Sequence, residues 1–269
     1  MNVFLTAVMD LIYSFIIPAY NEGERLTASL PKVLAYIRQR QLPSEIIVVN
    51  DGSSDNTAEV VRHFAAGNPD IRVLENPGNR GKGYSVRNGM LHAHGDVMLF
   101  TDADLSSPIH EADKLFRALE QGADVAIGSR WLQADLQTER QPWYRQLYGR
   151  LFNFALRIVL GLRHRDTQCG FKAFSRSAAQ TVFTRQRIER WGFDPELLFL
   201  ADKFKLQTAE VPVEWAHDHR SKISPLRDGI KMGLEVLKVR WNAMRGLYKH
   251  PAAQFEEAYA KPAAPQVAE

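Results

Sequence analysis

Cysteine is almost missing from this sequence, since Cys169 is the only one in 269 residues. A single thiol excludes an intramolecular disulfide framework and a zinc site built from several cysteines. It favours a reducing compartment such as the cytoplasm. The eight histidines show no HExxH spacing, so the common zinc hydrolase pattern is excluded too.

Long apolar runs are also absent. No stretch reaches the length of about 18 uncharged residues that a membrane-spanning helix needs. The segment 1–17 is apolar, but it contains Asp10, lacks a basic start and ends as a strand. The sequence therefore predicts neither a signal peptide nor a membrane anchor there.

The sequence also lacks a strong net charge of one sign and two familiar nucleotide-binding motifs. The net charge is only +3, so no nucleic-acid partner is predicted. No GxGxxG follows the first apolar strand, which disfavours a dinucleotide-dependent dehydrogenase, and no Walker spacing occurs. With 45% hydrophobic and 24% charged residues, the chain has the composition of a soluble domain with a large core.

Apolar bursts alternate with helical periods along the first half of the chain. The predicted strands are 11–17, 45–49, 71–74, 97–101 and 124–127. This alternation with short connections predicts an α/β fold with a mainly parallel sheet flanked by helices. Ligands bind such sheets at the carboxyl ends of the strands.

The most specific polar cluster is Asp102-Ala103-Asp104, which follows the fourth strand. Two carboxylates at this spacing can hold Mg²⁺ or Mn²⁺, which would neutralise charge on a leaving diphosphate. The alternative is that one aspartate caps the helix after Pro108, because Asp is a favoured capping residue.

Clusters also follow the first and second strands. Tyr20 is placed to lie against a nucleobase and Glu22 to hydrogen-bond to it, although the segment also suits a plain turn and helix start. After the second strand, Asp51 is placed to accept hydrogen bonds from a base or ribose. Gly52 permits close backbone approach, and Asp55 is expected to cap the next helix.

The third and fifth strands are followed by Gly-rich and basic clusters. Gly81 and Gly83 let backbone amides approach a ligand, and Lys82 between them supplies a positive charge. Arg130, after the fifth strand, can clamp a phosphate with its planar guanidinium. Five such clusters at five strand ends predict one composite site.

Five segments carry a resemblance to a known family: FIIPAYNE, VVNDGSSD, GKG, FTDADLS and IGSR. In this order they resemble the family 2 glycosyltransferases, which have the Rossmann-like GT-A fold. Three later segments, DTQCGFK, WGFDPE and VPVEW with SKI, resemble the branch that uses dolichyl or polyprenyl phosphate, and the wording leans to its glucosyltransferases. The similarity extends over about 14–223.

The resemblance implies a nucleotide-sugar donor, favouring UDP-glucose, and a polyprenyl-phosphate acceptor. The implied donor-binding residues are Pro18, Tyr20, Glu22, Asp51, Lys82 and Gly83. The implied catalytic residues are Asp102, Asp104 and Arg130, of which the two aspartates hold Mg²⁺ or Mn²⁺. The implied acceptor-phosphate residues are Arg130, Arg165, Cys169 and Lys222. Cys169 is also interpreted as a small buried residue, since a thiol is a weak donor. Ser106 replaces a metal-contacting glutamine of the mannosyltransferases.

The nature of the acceptor decides whether a general base is required. A lipid phosphate is already an oxyanion at neutral pH, so positioning and electrostatics suffice, and in-line attack inverts the anomeric centre. A hydroxyl acceptor would need a carboxylate base. Asp194 and Glu196 are the candidates for that base, and their alternative role is to cap the helix after Pro195.

The predicted organisation is a catalytic domain over 1–225, a basic amphipathic helix over 226–250 and a disordered tail over 251–269. The domain divides into a nucleotide-binding half (about 11–130) and an acceptor half (about 131–225). The segments 143–162 and 226–248 combine apolar and aromatic residues with Arg and Lys. They predict peripheral binding to the cytoplasmic face of a membrane, although either can instead pack on the core.

Three other functions compete with transfer to a lipid phosphate. One is a family 2 transferase acting on a lipid or polysaccharide hydroxyl. Another is a processive polysaccharide synthase, but Gln186-Arg-Ile-Glu-Arg-Trp191 is one residue longer than the QxxRW motif of those enzymes. The last is a non-catalytic nucleotide-sugar-binding module, which would be expected to lose the acidic pair or the basic residues.

Overall fold

A computed structural model describes residues 12–136, 143–216 and 225–252 of the chain. The strands are β1 (Tyr13–Ala19), β2 (Ser44–Asn50), β3 (Ile71–Glu75), β4 (Val97–Thr101), β5 (Val125–Ser129), β6 (Phe171–Ser175) and β7 (Thr208–Pro212). The α-helices are α1 (Gly23–Arg40), α2 (Thr57–Ala66), α3 (Lys82–Leu91), α4 (Ala112–Glu120), α5 (Trp143–Leu160), α6 (Arg176–Phe183), α7 (Phe193–Lys203) and α8 (Pro225–Met244). Short 3₁₀ turns cover Ile109–Glu111 and Ala134–Leu136.

One seven-stranded sheet contains all of these strands, in the order β3-β2-β1-β4-β6-β5-β7. The pairs β1–β2, β1–β4, β2–β3 and β5–β7 are parallel, and β6 runs antiparallel to both neighbours. The predicted α/β fold with a mainly parallel sheet is confirmed. Because β4 and β5 are both antiparallel to β6, their carboxyl ends lie at the same edge as those of β1 and β2.

Helices cover both faces of the sheet, and an apolar core lies on each side. The central strands are apolar on both faces for this reason; in β2, for example, residues 46–50 are all buried. Such continuous β-branched runs are typical of parallel strands that are covered twice. The sequence pattern therefore identified these strands well, with ends that differ by at most two residues.

Two strands of the sheet were not predicted from the sequence. β6 carries the buried Lys172 where an apolar residue is expected, and β7 is only half-buried and contains Glu210. The helix α1 contains Pro31 and continues past it. Pro31 is on the exposed side of α1, where the helix can bend away from the proline ring.

The helices α5 and α8 pack against each other beside the acceptor half of the sheet. No helix in the described ranges is both long and apolar enough to cross a membrane. The expectations for residues 1–11, for Lys222 and for most of the C-terminal tail lie outside the described residues. β6, from the predicted acceptor half, lies between two strands of the nucleotide-binding half, so both halves share one sheet.

Candidate active site

A cleft of about 540 Å³ opens at the carboxyl edge of the sheet. Eight of the residues singled out in the sequence line it: Pro18, Tyr20, Glu22, Asp51, Gly81, Lys82, Asp102 and Asp104. Gly83 lies behind the cleft wall, where a Cβ atom would come within 2.7 Å of Ile188 O and Phe193 Cβ. Four of the five predicted strand-end clusters therefore meet in this cleft, whereas Arg130, from the fifth, is not among its lining residues.

The loops after β1 and β2 are tied together. The Ser54 amide donates to Asn21 Oδ1 at 2.8 Å, and Asn21 adopts a left-handed φ of 54°. The Asp55 carboxylate accepts from the amides of Gly23 (3.2 Å) and Thr57 (3.0 Å), the first residues of α1 and α2. Asp55 thus accepts hydrogen bonds from the first amides of two helices, whereas it was expected to cap only one.

Asp51 organises the Gly-rich turn that leads into α3. Its carboxylate accepts from the amides of Arg80 (2.9 Å) and Gly81 (2.8 Å). Gly52, with φ of 69°, lies so close to this turn that a Cβ would be 2.7 Å from the carbonyl carbon of Gly78. The close backbone approach predicted for Gly52 is thus made to the neighbouring turn. Asp51 therefore fixes the shape of the cleft wall that this turn forms.

The paired carboxylates lie in a tight turn after β4. The Asp104 carboxylate accepts from the Ser106 amide at 2.9 Å, and Leu105 has a strained left-handed φ of 50°. Burial, together with the charge of Asp102, raises the pKa of Asp104 above its ordinary value. A Cβ at Gly170 would lie 2.3 Å from Asp102 Oδ2, so the facing backbone holds that carboxylate in place. Two crowded, partly buried carboxylates suit a hard divalent cation.

A chain of alternating charges runs from this pair into the protein interior. The Lys82 ammonium contacts Asp102. Deeper in, Lys172 is fully buried, donates to Cys169 O at 2.6 Å and pairs with Asp194. Asp194 also interacts electrostatically with Lys82 and Asp102. Because each charge faces an opposite one, these groups tolerate burial that an isolated charge would not.

Both candidate bases, Asp194 and Glu196, already have partners in the protein interior. Asp194 is buried against Lys172 and caps no helix. Glu196 is fully buried and accepts from the amide of Ile188 (2.8 Å) and from Tyr248 Oη (2.6 Å). Burial raises the pKa of Glu196 to about 7 against the opposing effect of these hydrogen bonds. Neither carboxylate lines the cleft.

Arg130, which directly follows β5, forms an ion pair with Asp166. Arg130 Nε is 2.7 Å from Asp166 Oδ2, and Nη2 is 2.9 Å from Oδ1, which makes a bidentate pair. The guanidinium also stacks on the rings of Trp131 and Trp215, with Cζ 5.7 and 5.5 Å from their centroids. Asp166 raises the pKa of Arg130 against the effect of burial, so the cation is permanent.

The remaining acceptor residues differ in exposure. Arg165 is exposed, and its backbone amide donates to Glu210 at 2.8 Å. Cys169 is buried, and burial together with Asp166 raises the pKa of its thiol to about 12. A neutral, buried thiol matches the alternative interpretation of Cys169 as a small core residue. Lys222 lies outside the described residues.

The cleft residues that sequence reasoning missed include Arg25, Arg190 and Trp191. Arg25 donates to both carboxylate oxygens of Glu22 at 2.8 Å, so the carboxylate assigned to the base already has a cationic partner. Arg190 and Trp191 come from the loop between α6 and α7, far along the chain from the strand-end clusters. The signals available for them were the Arg-Trp pair that imitates a synthase motif and the segment WGFDPE, which begins with Trp191.

Solved structures share this fold. A glucosyl-3-phosphoglycerate synthase from Mycobacterium tuberculosis in complex with UDP matches with a TM-score of 0.63 at 21% identity, over 90% of this chain and 82% of that one. A mannosyl-3-phosphoglycerate synthase from Rubrobacter xylanophilus matches with a TM-score of 0.65 at 18% identity, over 95% and 79%. At these identities the similarity establishes the GT-A-like fold.

Closer relatives are found by sequence. The chain is 39% identical over 252 residues to a dolichyl-phosphate beta-glucosyltransferase of Trichomonas vaginalis, covering 89% of this chain and 74% of the relative. It is 34% identical to the Homo sapiens dolichyl-phosphate beta-glucosyltransferase, covering 88% and 77%. Residues 14–183 match the Glycosyl transferase family 2. With the cleft, the acidic pair and the fold in agreement, the chain is a member of the family 2 glycosyltransferases.

Proposed function

We propose that this enzyme transfers glucose from UDP-glucose to a polyprenyl phosphate of the dolichyl type, with inversion at the anomeric carbon. The observation that carries the proposal is the adjacency of two charged sites at one sheet edge. Asp102 and Asp104 follow β4, and the Arg130–Asp166 pair lies between the ends of β5 and β6. Relatives that match most of the chain are named for this transfer.

The donor side is assigned to the 540 Å³ cleft. Tyr20 and Asp51 would contact the nucleoside, while Lys82 and Arg190 would face the diphosphate. Mg²⁺ or Mn²⁺, held by Asp102 and Asp104, would neutralise charge on the leaving diphosphate. A solved neighbour of the same fold contains Mn²⁺ and UDP.

The acceptor phosphate would bind at Arg130 and Arg165. A phosphate oxygen forms the new bond to the anomeric carbon as the bond from that carbon to UDP breaks, and the electron pair leaves with the diphosphate. The nucleophile is already anionic, so no proton must be removed. This agrees with the state of Asp194 and Glu196, since both carboxylates are engaged and neither lines the cleft. Catalysis then depends on positioning and charge.

We assign membrane contact to an apolar surface that we term the lipid face. Ten large apolar side chains are exposed among the described residues, and eight of them lie on α5 and α8. These eight form the lipid face: Leu151, Phe154, Ile158, Ile230, Leu234, Leu237, Trp241 and Met244. They are between 56% and 69% exposed, whereas Tyr248, also in the predicted stripe, is fully buried. The stripe of α8 from Ile230 to Met244 therefore faces outward, which supports the interfacial prediction over core packing.

Charge supports a bilayer as the partner of the lipid face. Lys231 and Lys238 on α8, and Arg245 directly after it, are exposed at seven-residue spacing, so they flank the apolar stripe on one side. Basic flanks beside an apolar stripe suit anionic lipid headgroups. The unpaired Cys169 suits the reducing side of a membrane, so we assign the protein to the cytoplasmic face as a peripheral protein.

A transfer assay tests the proposal. Purified protein would be mixed with Mg²⁺ or Mn²⁺, a panel of labelled UDP- and GDP-sugars, and a short polyprenyl phosphate in detergent. We expect label from UDP-glucose to enter the organic phase, and Asp104→Ala to lose transfer by more than about 100-fold while retaining the wild-type circular dichroism spectrum. Near-normal transfer by that variant would refute the metal role.

The same assay separates the alternatives. Metal-dependent hydrolysis of one donor without lipid product would refute the phosphate acceptor and favour a hydroxyl acceptor. Neither product nor hydrolysis with any donor would favour the non-catalytic binding module. Formation of lipid product from a GDP-sugar alone would support the polyprenyl-phosphate acceptor and refute uridine as the nucleoside of the donor.

A further inference from the structure

The loop between α6 and α7 forms one wall of the donor cleft. It places Arg190 and Trp191 there. Its backbone is bonded to the start of α3, since the Tyr84 amide donates to Glu189 O at 2.9 Å. On the same side, Gln186 Nε2 donates to Gly83 O at 2.9 Å. The loop is therefore fitted against the Gly-rich turn on the nucleotide side.

The opposite side of this loop rests on α8 and the turn that follows it. The Gly192 amide donates to Glu235 Oε2 at 2.7 Å. The Arg187 guanidinium donates to Leu247 O at 2.6 Å, and Tyr248 Oη donates to Glu196. Only one of these contacts adjoins the cleft residues themselves, because Gly192 directly follows Trp191.

The contact at Gly192 is close and specific. A Cβ there would lie 2.7 Å from Glu235 Cβ and 3.0 Å from Glu235 Oε2. Because Gly192 has no side chain, α8 can approach closely enough for Glu235 to accept this hydrogen bond. Glu235 is half-buried on the side of α8 turned away from the exposed stripe. A hydrogen bond from an amide to a carboxylate is among the stronger kinds, and losing it removes the bond that joins the loop to α8 beside Trp191.

We infer that Glu235 is a positioning residue for donor binding: it holds Gly192, and through it Arg190 and Trp191, against the nucleotide pocket. The inference rests on the proposed donor and adds a residue on α8 that does not line the cleft. Because the outer side of the same helix carries the lipid face, donor affinity depends on a helix that also contacts the membrane. Loss of this contact is expected to weaken donor binding and to leave acceptor binding unchanged.

Two variants test this inference on the full chain. Glu235→Ala removes the acceptor of the Gly192 hydrogen bond, and Gly192→Ala forces the two elements apart. We expect each to weaken UDP binding in the presence of Mn²⁺, measured by calorimetry, by about tenfold or more. The KM for UDP-glucose should rise in parallel, while the KM for polyprenyl phosphate and vesicle binding stay at wild-type values. Glu235→Gln keeps an oxygen acceptor and should recover most of the affinity.

Controls separate a positioning role from a general loss of structure. Arg240→Ala, at another exposed position on α8, should leave UDP affinity unchanged. Wild-type UDP affinity in both Glu235→Ala and Gly192→Ala would overturn the inference, as would equal loss of donor and acceptor affinity. Absence of UDP binding by the wild-type protein would instead refute the proposed donor, and the inference with it.

Discussion

The ammonium of Lys82 pairs with the carboxylate of Asp102, which joins the start of α3 to the end of β4 across the cleft. Lys82 Nζ is also 5.9 Å from the ring centroids of Trp191 and Phe193. The cation thus lies where the two strand-end loops and the α6–α7 loop meet. Its charge balances an acidic pair that would otherwise repel an anionic donor.

Lys82→Ala should therefore impair donor use most strongly. We expect kcat/KM for UDP-glucose to fall by about 100-fold or more, because a preorganised cation facing the diphosphate is lost. Steady-state kinetics with varied donor at saturating acceptor measures this. Lys203→Ala, an exposed lysine at the end of α7, is the matched control and should behave as wild type. A Lys82→Ala enzyme with normal kcat/KM would contradict the assignment.

Gly170→Ala should displace Asp102 without unfolding the protein. The new Cβ would lie between 2.3 and 2.8 Å from three atoms of that carboxylate, so the carboxylate must move. A displacement of this size in a catalytic group can cost about 100-fold in rate. We expect weaker Mn²⁺ binding, measured by electron paramagnetic resonance, together with the loss of transfer.

Gly67→Ala is the control for Gly170→Ala, since a Cβ at Gly67 has no heavy atom within 4 Å. It should retain both metal binding and transfer. Unchanged Mn²⁺ affinity in Gly170→Ala would show that Asp102 does not bind the metal.

Glu196 should make the stability of the protein depend on pH. Burial raises the pKa of its carboxyl from 4.5 to about 7 in the folded state. The stability from its protonated form is fully present below pH 4.5 and is lost as pH rises through 7. Glu196→Gln cannot ionise, so wild type should lose up to about 3 kcal/mol of unfolding free energy relative to this variant across that range.

Urea unfolding of both proteins between pH 4.5 and 8 measures this difference. Glu59→Gln, an exposed position on α2, should give a curve parallel to wild type. Parallel curves for wild type and Glu196→Gln would contradict the raised pKa.

Leu234→Glu should detach the protein from membranes. Leu234 belongs to the lipid face and is 63% exposed, and burying a leucine side chain is worth about 1.5–3 kcal/mol. Flotation with phosphatidylserine vesicles should show at least about tenfold weaker binding for the variant, with transfer to a short acceptor in detergent retained. Ile12→Glu replaces an exposed apolar residue outside the lipid face and should still float.

A different partner for the lipid face would give another result. If wild type and Leu234→Glu float equally, the lipid face does not bind lipid. If wild type elutes as a dimer and Leu234→Glu as a monomer in size-exclusion chromatography, the surface joins two copies of the chain.

The parallel part of the sheet and its strand-end clusters were predictable from sequence because each depends on local pattern. β2 and β4 are continuous apolar runs followed directly by Asp51 and Asp102, and parallel strands bring such ends to one edge. The resemblance to the family 2 glycosyltransferases depends on these motifs occurring in the family's order along the chain. Their roles in donor and acceptor binding remain predictions.

The rest of the site depends on contacts that no local pattern encodes. Lys172 in β6 looks like a break in a short strand, and only its pairing with Asp194 explains a charge at the centre of the sheet. Arg190 and Trp191 lie in the α6–α7 loop, which a hydrogen bond from Gly192 joins to Glu235 of α8. Glu196 resembles a helix-capping residue or a base, whereas its partner Tyr248 lies 52 residues away in the sequence.

The position of β6 has a consequence for how acceptor preference can change in this fold. β6 comes from the later part of the chain, yet it is inserted between β4 and β5 and carries the Asp166–Gly170 loop at its start. A chimaera that takes residues after 130 from a relative would replace a central strand, and the hydrogen bonds to its two neighbours, along with the Asp166–Gly170 loop. New specificities are therefore easier to reach by point substitutions in the loops than by exchange of whole segments.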